Sequence, residues 1–254
     1  MFAKEAKVPF IVDNTVATPY LLNPIEHGAN IVIHSLTKYV NGNGTAMGGI
    51  IIEGGTFNYG NGLFPEFTDP SPNYHGLNYH EALGPAAFIA RVRVEGLRDL
   101  GAAPSPFNSF QILQGIETLS VRMSNHSKNA LELAQWLESQ DEVKWVNYPG
   151  LKSSKYNDLS KKYLPKGQSG IITFGVKGGY DFANDEGDVK DFLNRARRRA
   201  GLSPNNGLRP DVAFYKLWDG LGHLTTKSDG ATRKAVADAV YENVLKPYKE
   251  KMNG

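Results

Sequence analysis

The 254-residue sequence contains no cysteine. That excludes a disulfide framework, thiolate nucleophiles and thiolate metal ligands, and it fits a reducing compartment. A bias toward one sign of charge is also missing. Lys and Arg number 28 against 26 Asp and Glu, a net charge of +2. Bulk electrostatics therefore gives no nucleic-acid partner and no membrane surface. No apolar run approaches the length of a membrane span, and Met1-Phe2-Ala3-Lys4-Glu5-Ala6-Lys7 lacks the apolar stretch of a signal peptide. His75 and His80 do not stand at metal-ligand spacing, and no His-Glu pair sits at helical spacing, which argues against zinc. What remains is an ordinary globular composition, 41% hydrophobic and 21% charged. It is long enough for one large domain or a large and a smaller one. The expected setting is a soluble protein of the cytoplasm.

Two short apolar runs dominate the first fifty residues. Phe10-Ile11-Val12 ends in Asp13-Asn14-Thr15, and Ile31-Val32-Ile33 ends in His34-Ser35-Leu36-Thr37-Lys38-Tyr39. Runs without a polar face read as buried parallel strands, and open α/β sheets bind ligands at the carboxyl ends of their strands. Between the two, Asn23-Pro24 starts a short helix that Gly28 closes. A third strand, Gly49–Ile52, follows the Gly42-Asn43-Gly44 turn, and the whole reads as a mostly parallel sheet. Residues 54–80, rich in Gly, Pro, Asn and aromatics, read as a long ordered loop. Glu81–Leu100 is helical in pattern, interrupted at Gly84-Pro85 and ended by Gly101. Ser105-Pro106 opens the longest helix, expected to reach Ser139 with Met123, Ala130, Ala134 and Leu137 on one face. A strand at 143–146, a helix around 155–163 and a strand at 171–174 follow. Past Gly179 the charged segments 187–200 and 229–252 read as helices, and the basic run Arg195–Arg199 as a solvated helix face.

A lysine just past a buried strand, beside Ser35 and Thr37, suits a desolvated amine able to form a Schiff base. The two hydroxyls and the backbone N–H groups of the turn suit a phosphate, and Asp13 suits a cationic ring nitrogen. Together these are what pyridoxal phosphate needs. Each residue alone also has an ordinary reading, as a solvated loop lysine or a turn residue. Spacing alone favours the ordinary reading, because short motifs match by chance often. Gly42-Asn43-Gly44 lacks the third glycine of a dinucleotide loop, and His126 reads as a packing or capping residue.

Longer stretches carry a resemblance. Val12-Asp13-Asn14-Thr15, Pro24–Ala29, His34–Tyr39, Gly84–Ala87, Leu97–Gly101, Ser105–Asn108, Leu113–Leu119, Arg122-Met123, His126 and Asn129-Ala130 are similar in register to the pyridoxal-phosphate-dependent enzymes of cysteine and methionine metabolism. Within them they are nearest the O-acetylhomoserine sulfhydrylases, whose insertion at Phe64–Gly76 separates them from the cystathionine synthases and lyases. The resemblance implies an α/β fold. Part of an aspartate aminotransferase-like, fold type I large domain (1–104) would be followed by a linking helix and the start of a smaller α/β domain (105–179), then by an unassigned helical tail (180–254).

It also implies roles. Lys38 would hold pyridoxal 5'-phosphate and shuttle protons, a buried Asp13 would keep the pyridine nitrogen protonated, Ser35 and Thr37 would bind the phosphate, and Thr15 would orient the ring. The implied reaction is γ-replacement of acetate in O-acetyl-L-homoserine by sulfide, in a homo-oligomer with shared active sites. Asn30 and Asn43 stand where the family has other polar residues. The family's N-terminal part, with its phosphate-gripping glycine turn and stacking tyrosine, is expected to be missing, and no match is found for the arginine that binds the substrate carboxylate. A non-catalytic derivative and a lyase of the same family are the alternatives.

Overall fold

The computed structural model describes residues 2–178 together with Asp191, Phe192, Asn194 and Arg195. Those last four are helical; the rest of the expected tail, including most of 187–200 and all of 229–252, lies outside the described residues. The chain divides into two compact units. The first takes in residues 1–135 and 146–173, the second residues 136–145 and the described residues from 174 on.

The first unit begins with α1 (Phe2–Glu5) and is built on three strands: β1 (Ile11–Asp13), β2 (Ile31–Ser35) and β3 (Gly49–Glu53). β2 is central. Its Ile31 and Val32 are almost wholly buried, as a strand covered on both faces requires. β1 pairs with it in parallel, Ile11 opposite Ile31 and Asp13 opposite Ile33. α2 (Thr18–Leu21) and a 3-10 turn (Pro24–His27) cross between them, and Gly28 closes the turn at φ 90°, a left-handed conformation that glycine adopts without strain. Asn30 fixes the entry to both strands: its side-chain carbonyl accepts from Phe10 N at 2.8 Å and its amide donates to Thr56 Oγ1 at 2.9 Å.

Two expectations fail here. β3 pairs antiparallel with β2, Gly49 opposite Ser35. The reason is the connection: residues 36–48 form a turn with no crossover helix, so the chain reverses instead of returning to the start of the sheet. β1 is also not buried. Among the described residues it has one neighbouring strand, and Ile11 is 49% exposed.

Residues 54–80 are ordered, as expected from their aromatics. They contain α3 (Pro65–Thr68) and an antiparallel bridge from Ser71 to Leu77. Tyr59, Phe67 and Tyr79 form a buried cluster with Ala87, joined by Phe57, Phe64 and Phe88. The helical stretch beyond is broken as expected at Gly84-Pro85: α4 (Tyr79–Leu83) precedes a 3-10 turn, and α5 (Ala87–Arg91) follows it. The pattern did not show that Val92–Leu97 widens into a π-helical turn before α6 (Arg98–Leu100), which ends at Gly101 with φ 66°.

Glu95 on the π turn is the polar anchor of the 54–80 segment. It accepts from Ser71 Oγ at 2.6 Å, Tyr79 Oη at 2.9 Å and Arg91 Nε at 3.0 Å. These bonds, that from Ser71 foremost, hold its carboxyl below the usual glutamate range against the upward push of burial. A carboxylate whose folded pKa is depressed stabilises fully above its unfolded pKa and loses that contribution as pH falls through the folded value. Stability is therefore expected to drop on acidification below the ordinary glutamate range. Glu95→Gln is expected to flatten this acid limb and to cost about 1–3 kcal/mol near neutrality, as read by urea melts over a pH series.

The longest expected helix is two. α7 (Pro106–Glu117) starts at Ser105, whose hydroxyl accepts from Asn108 N at 3.1 Å, and stops at Thr118; α8 (Leu119–Glu138) follows at once. Met123, Ala130, Ala134 and Leu137 are buried along one face of α8, as their spacing predicts. Ala130 and Ala134 pack with Tyr148 and Leu151, and α9 (Asn157–Tyr163) closes this side of the unit. β4 (Val143–Asn147) and β5 (Thr173–Val176) pair in a two-stranded sheet, β5 starting two residues later than the apolar run suggests. In the second unit Phe192 packs against Trp136 and Phe174. Arg195 is not on a solvated face but bonded, to Glu142 at 2.6 Å and Asp191 at 3.0 Å. Among the described residues no helix is long and apolar enough to cross a membrane.

Candidate active site

Parallel pairing of β1 and β2 brings their carboxyl ends to one edge of the sheet, and with them Asp13-Asn14-Thr15 and His34–Lys38. The junction is hydrogen-bonded across the strands. Asn14 N donates to Ile33 O at 2.9 Å, and buried Asn14 donates its amide to Thr18 O and Leu22 O. Thr15 links acid to turn: its N–H donates to Asp13 Oδ1 at 3.0 Å, and its hydroxyl accepts from Ser35 N at 2.8 Å. Thr15 is thus first a strap between the two strands, a role its position in the sequence did not signal.

Asp13 is exposed, which corrects the expectation of a buried carboxylate. Its charge is held instead by bonds. The Thr15 hydroxyl, then the Thr15 N–H, keep its carboxyl below the usual range against the upward push of burial, and the charge of His34 adds the least. His34 lies beneath the edge, almost fully buried, with Nδ1 unpartnered among the described residues. Burial pushes its imidazole below the ordinary histidine range, and Asp13 and the Asn14 backbone oppose the shift.

The turn that carries Lys38 is anchored on both sides. Leu36 and Val40 pack with Ala46 and with Ile112 of α7, and Tyr39 packs toward Leu119 and Met123 of α8. Its ring also meets His126 at 5.4 Å, the packing role expected of that histidine. With Leu36, Tyr39 and Val40 turned inward, Lys38 is left on the outside, and its side chain is exposed. The described residues therefore do not desolvate it, contrary to the expectation of a buried amine. The Thr37 hydroxyl accepts from Gly48 N at 3.1 Å and donates to Gly48 O at 3.3 Å, closing the loop before β3. Among the described residues the Ser35 hydroxyl has no such partner, so of the two expected phosphate ligands Ser35 is the one free to donate.

The set fits pyridoxal phosphate: an ionised carboxylate, a free hydroxyl and an exposed amine on one sheet edge, with donors and acceptors of the types the cofactor's ring nitrogen, phosphate and aldehyde require. Arg122, which grips the lysine turn from α8, was not distinguished by the sequence as a site residue. Nothing local marks it, because the contact spans 83 residues from Tyr39.

Known proteins agree. The profile of the family described as Cys/Met metabolism PLP-dependent enzyme matches residues 1–197. The chain is 53% identical over 190 residues to an O-acetyl-L-homoserine sulfhydrylase of Leptospira meyeri, covering 71% of this chain and 43% of that protein. It is 47% identical over 188 residues to a homocysteine/cysteine synthase of Saccharomyces cerevisiae, covering 73% and 42%. It thus spans less than half the length of these curated relatives. Among solved structures it resembles that of an O-acetylhomoserine (thiol)-lyase of Campylobacter jejuni bearing N'-pyridoxyl-lysine-5'-monophosphate. There the TM-score is 0.65 and the identity 46%, over 69% of this chain and 44% of that one. The fold is accordingly part of the fold type I architecture of pyridoxal-phosphate enzymes, and the chain belongs to the Cys/Met metabolism PLP-dependent enzyme family.

Proposed function

We propose that this chain carries pyridoxal phosphate on Lys38 and serves γ-replacement: O-acetyl-L-homoserine and sulfide give L-homocysteine and acetate. The observation that carries the reading is the sheet edge itself, where Asp13, strapped by Thr15, stands beside the turn that presents Lys38. The sulfhydrylase and synthase relatives supply the substrate class, and the packed 54–80 segment supports the reading, since it contains the stretch that the resemblance likens to the sulfhydrylase insertion.

Bound there, pyridoxal phosphate supplies an electron sink for an amino-acid substrate. The rest falls to the chain. Asp13 accepts the ring N–H and keeps the proton at that nitrogen. Thr15 orients the carboxylate. Ser35 donates to the phosphate, while Thr37 holds the loop through Gly48: its one hydroxyl proton goes to Gly48 O, so it donates to the phosphate only by giving up that bond. Lys38 Nζ holds the cofactor and moves protons at the α- and β-carbons of the substrate. Over the cycle the Cγ–O bond breaks, a Cγ–S bond forms, and a sulfide proton leaves with acetate.

A cytoplasmic homo-oligomer with shared active sites completes the proposal. Leu100 at 82% exposure and Phe107 at 68%, near the start of α7, are apolar surface that such an assembly would cover. The test is a coupled assay. Homocysteine formation that needs both sulfide and pyridoxal phosphate, and that falls at least 10²-fold in Lys38→Ala, is the expected result. Ammonia and a 2-oxo acid released without sulfide would assign elimination instead, and no turnover by cofactor-loaded protein would make the chain a non-catalytic derivative.

A further inference from the structure

Arg122 sits in the first turn of α8, half-buried, and none of its bonds goes to a carboxylate among the described residues. Nη1 donates to Tyr39 O at 2.7 Å. Nη2 donates to Gly115 O at 2.7 Å and to Val40 O at 3.3 Å, and Nε donates to Thr118 Oγ1 at 3.0 Å. Burial pushes its pKa down, with no opposing anion. A guanidinium drawn partly out of water without a carboxylate is costly unless other dipoles replace the solvent. Here they do. Gly115 and Thr118 lie at the carboxyl end of α7, where free carbonyls carry partial negative charge. The remaining acceptors are the two carbonyls immediately after Lys38.

The guanidinium and the turn are in close contact here. Gly42 has φ 72°, and a Cβ there would overlap Arg122 Nη1 and lie 2.5 Å from Cζ. A Cβ at Gly115 would overlap the Asn41 carbonyl oxygen. Inside the turn, Lys38 N donates to Ser35 O at 3.3 Å, Asn41 N to Leu36 O at 3.0 Å and Gly42 N to Lys38 O at 2.8 Å. The side chain of Lys38 is exposed, so the described contacts that fix where it starts are those of this backbone.

We propose that Arg122 is a positioning residue for Lys38. By binding the Tyr39 and Val40 carbonyls it clamps the turn to the end of α7, and so sets where the amine meets a carbonyl ligand. The inference rests on the reading of Lys38 as the cofactor lysine. Lysine cannot replace this planar fork, because its ammonium is a point charge with no fixed set of donors. Arg122→Lys and Arg122→Met are therefore expected to act alike, so that one serves if the other fails to fold.

Two readouts on the full chain decide the matter. The first needs no cofactor. Amide exchange of Gly42 and Asn41 is expected to speed up at least tenfold in either variant, beyond any change in Leu151→Ala. Leu151 is a buried core residue next to Ala134 and Tyr148, and its truncation controls for loss of overall stability. The second is pyridoxal phosphate binding, followed by the visible band of the lysine adduct well below each melting temperature. The dissociation constant is expected to rise at least tenfold in the Arg122 variants and to stay near wild type in Leu151→Ala. Unchanged exchange at Gly42, or cofactor affinity that only tracks melting temperature, would overturn the role of Arg122 while leaving Lys38 as the cofactor lysine. A wild-type chain that forms no adduct would remove the reading of Lys38 itself and the positioning role with it.

Discussion

Asp13→Asn is expected to lower turnover by about 10²–10³-fold, the scale of losing one preorganised electrostatic partner, with little change in melting temperature. The fold does not depend on the charge. Asp13 is exposed at the end of β1, and an asparagine carbonyl still accepts from Thr15 N. The proposed reaction would depend on it. The Thr15 bonds hold the aspartate ionised, so it would present a full negative charge to a ring N–H, whereas a neutral amide would leave that nitrogen free to lose its proton. Cofactor affinity is expected to fall with the rate. The check pairs a thermal melt with steady-state assays at saturating pyridoxal phosphate; equal loss of stability and rate would contradict the assignment.

Gly115→Ala is expected to be the most damaging single methyl in the first unit. An added Cβ would overlap the Asn41 carbonyl oxygen and lie 2.7 Å from the Asn41 carbonyl carbon and Cα. These are backbone atoms on both sides of the contact, so neither α7 nor the lysine turn can yield by rotating a side chain. Overpacking of this kind costs about 1–3 kcal/mol, which for a chain of this size lowers Tm by roughly 2–4 °C per kcal/mol. The displaced turn also carries Lys38, so cofactor binding is expected to weaken with stability. Gly96→Ala is the contrasting case. Its added methyl meets nothing within 4 Å, and in a helical segment alanine is favoured over glycine by up to about 1 kcal/mol. A melt of Gly115→Ala at or above that of Gly96→Ala would mean that α7 and the turn are not in this contact.

Local patterns carried the elements well where the signal was short-range. Ser105-Pro106 started α7, Gly28 and Gly101 ended helical segments in left-handed conformations, and the spacing of Met123, Ala130, Ala134 and Leu137 marked the buried face of α8. What stayed illegible was set by tertiary partners. The reversal of β3 depends on the missing crossover, and an apolar strand does not declare which way it runs. The break at Thr118 interrupts no apolar period. It is stabilised by Arg122 reaching back to Gly115 O, a contact that helical periodicity cannot encode. The same holds at the site. Asp13, Ser35, Thr37 and Lys38 are candidates that the sequence suggests. The strap through Thr15, the engagement of Thr37 with Gly48 and the exposure of Asp13 and Lys38 are facts of packing that the residue types leave open.

The most direct test of the central claim is where pyridoxal phosphate attaches. The chain would be mixed with the cofactor, reduced with borohydride, digested and mapped by mass spectrometry, with Lys38→Ala alongside. A visible band that borohydride bleaches and a phosphopyridoxyl group on the peptide containing Lys38 are expected, with neither in the variant. A band that persists in Lys38→Ala, or label spread over other lysines with Lys38 unmodified, would contradict that claim.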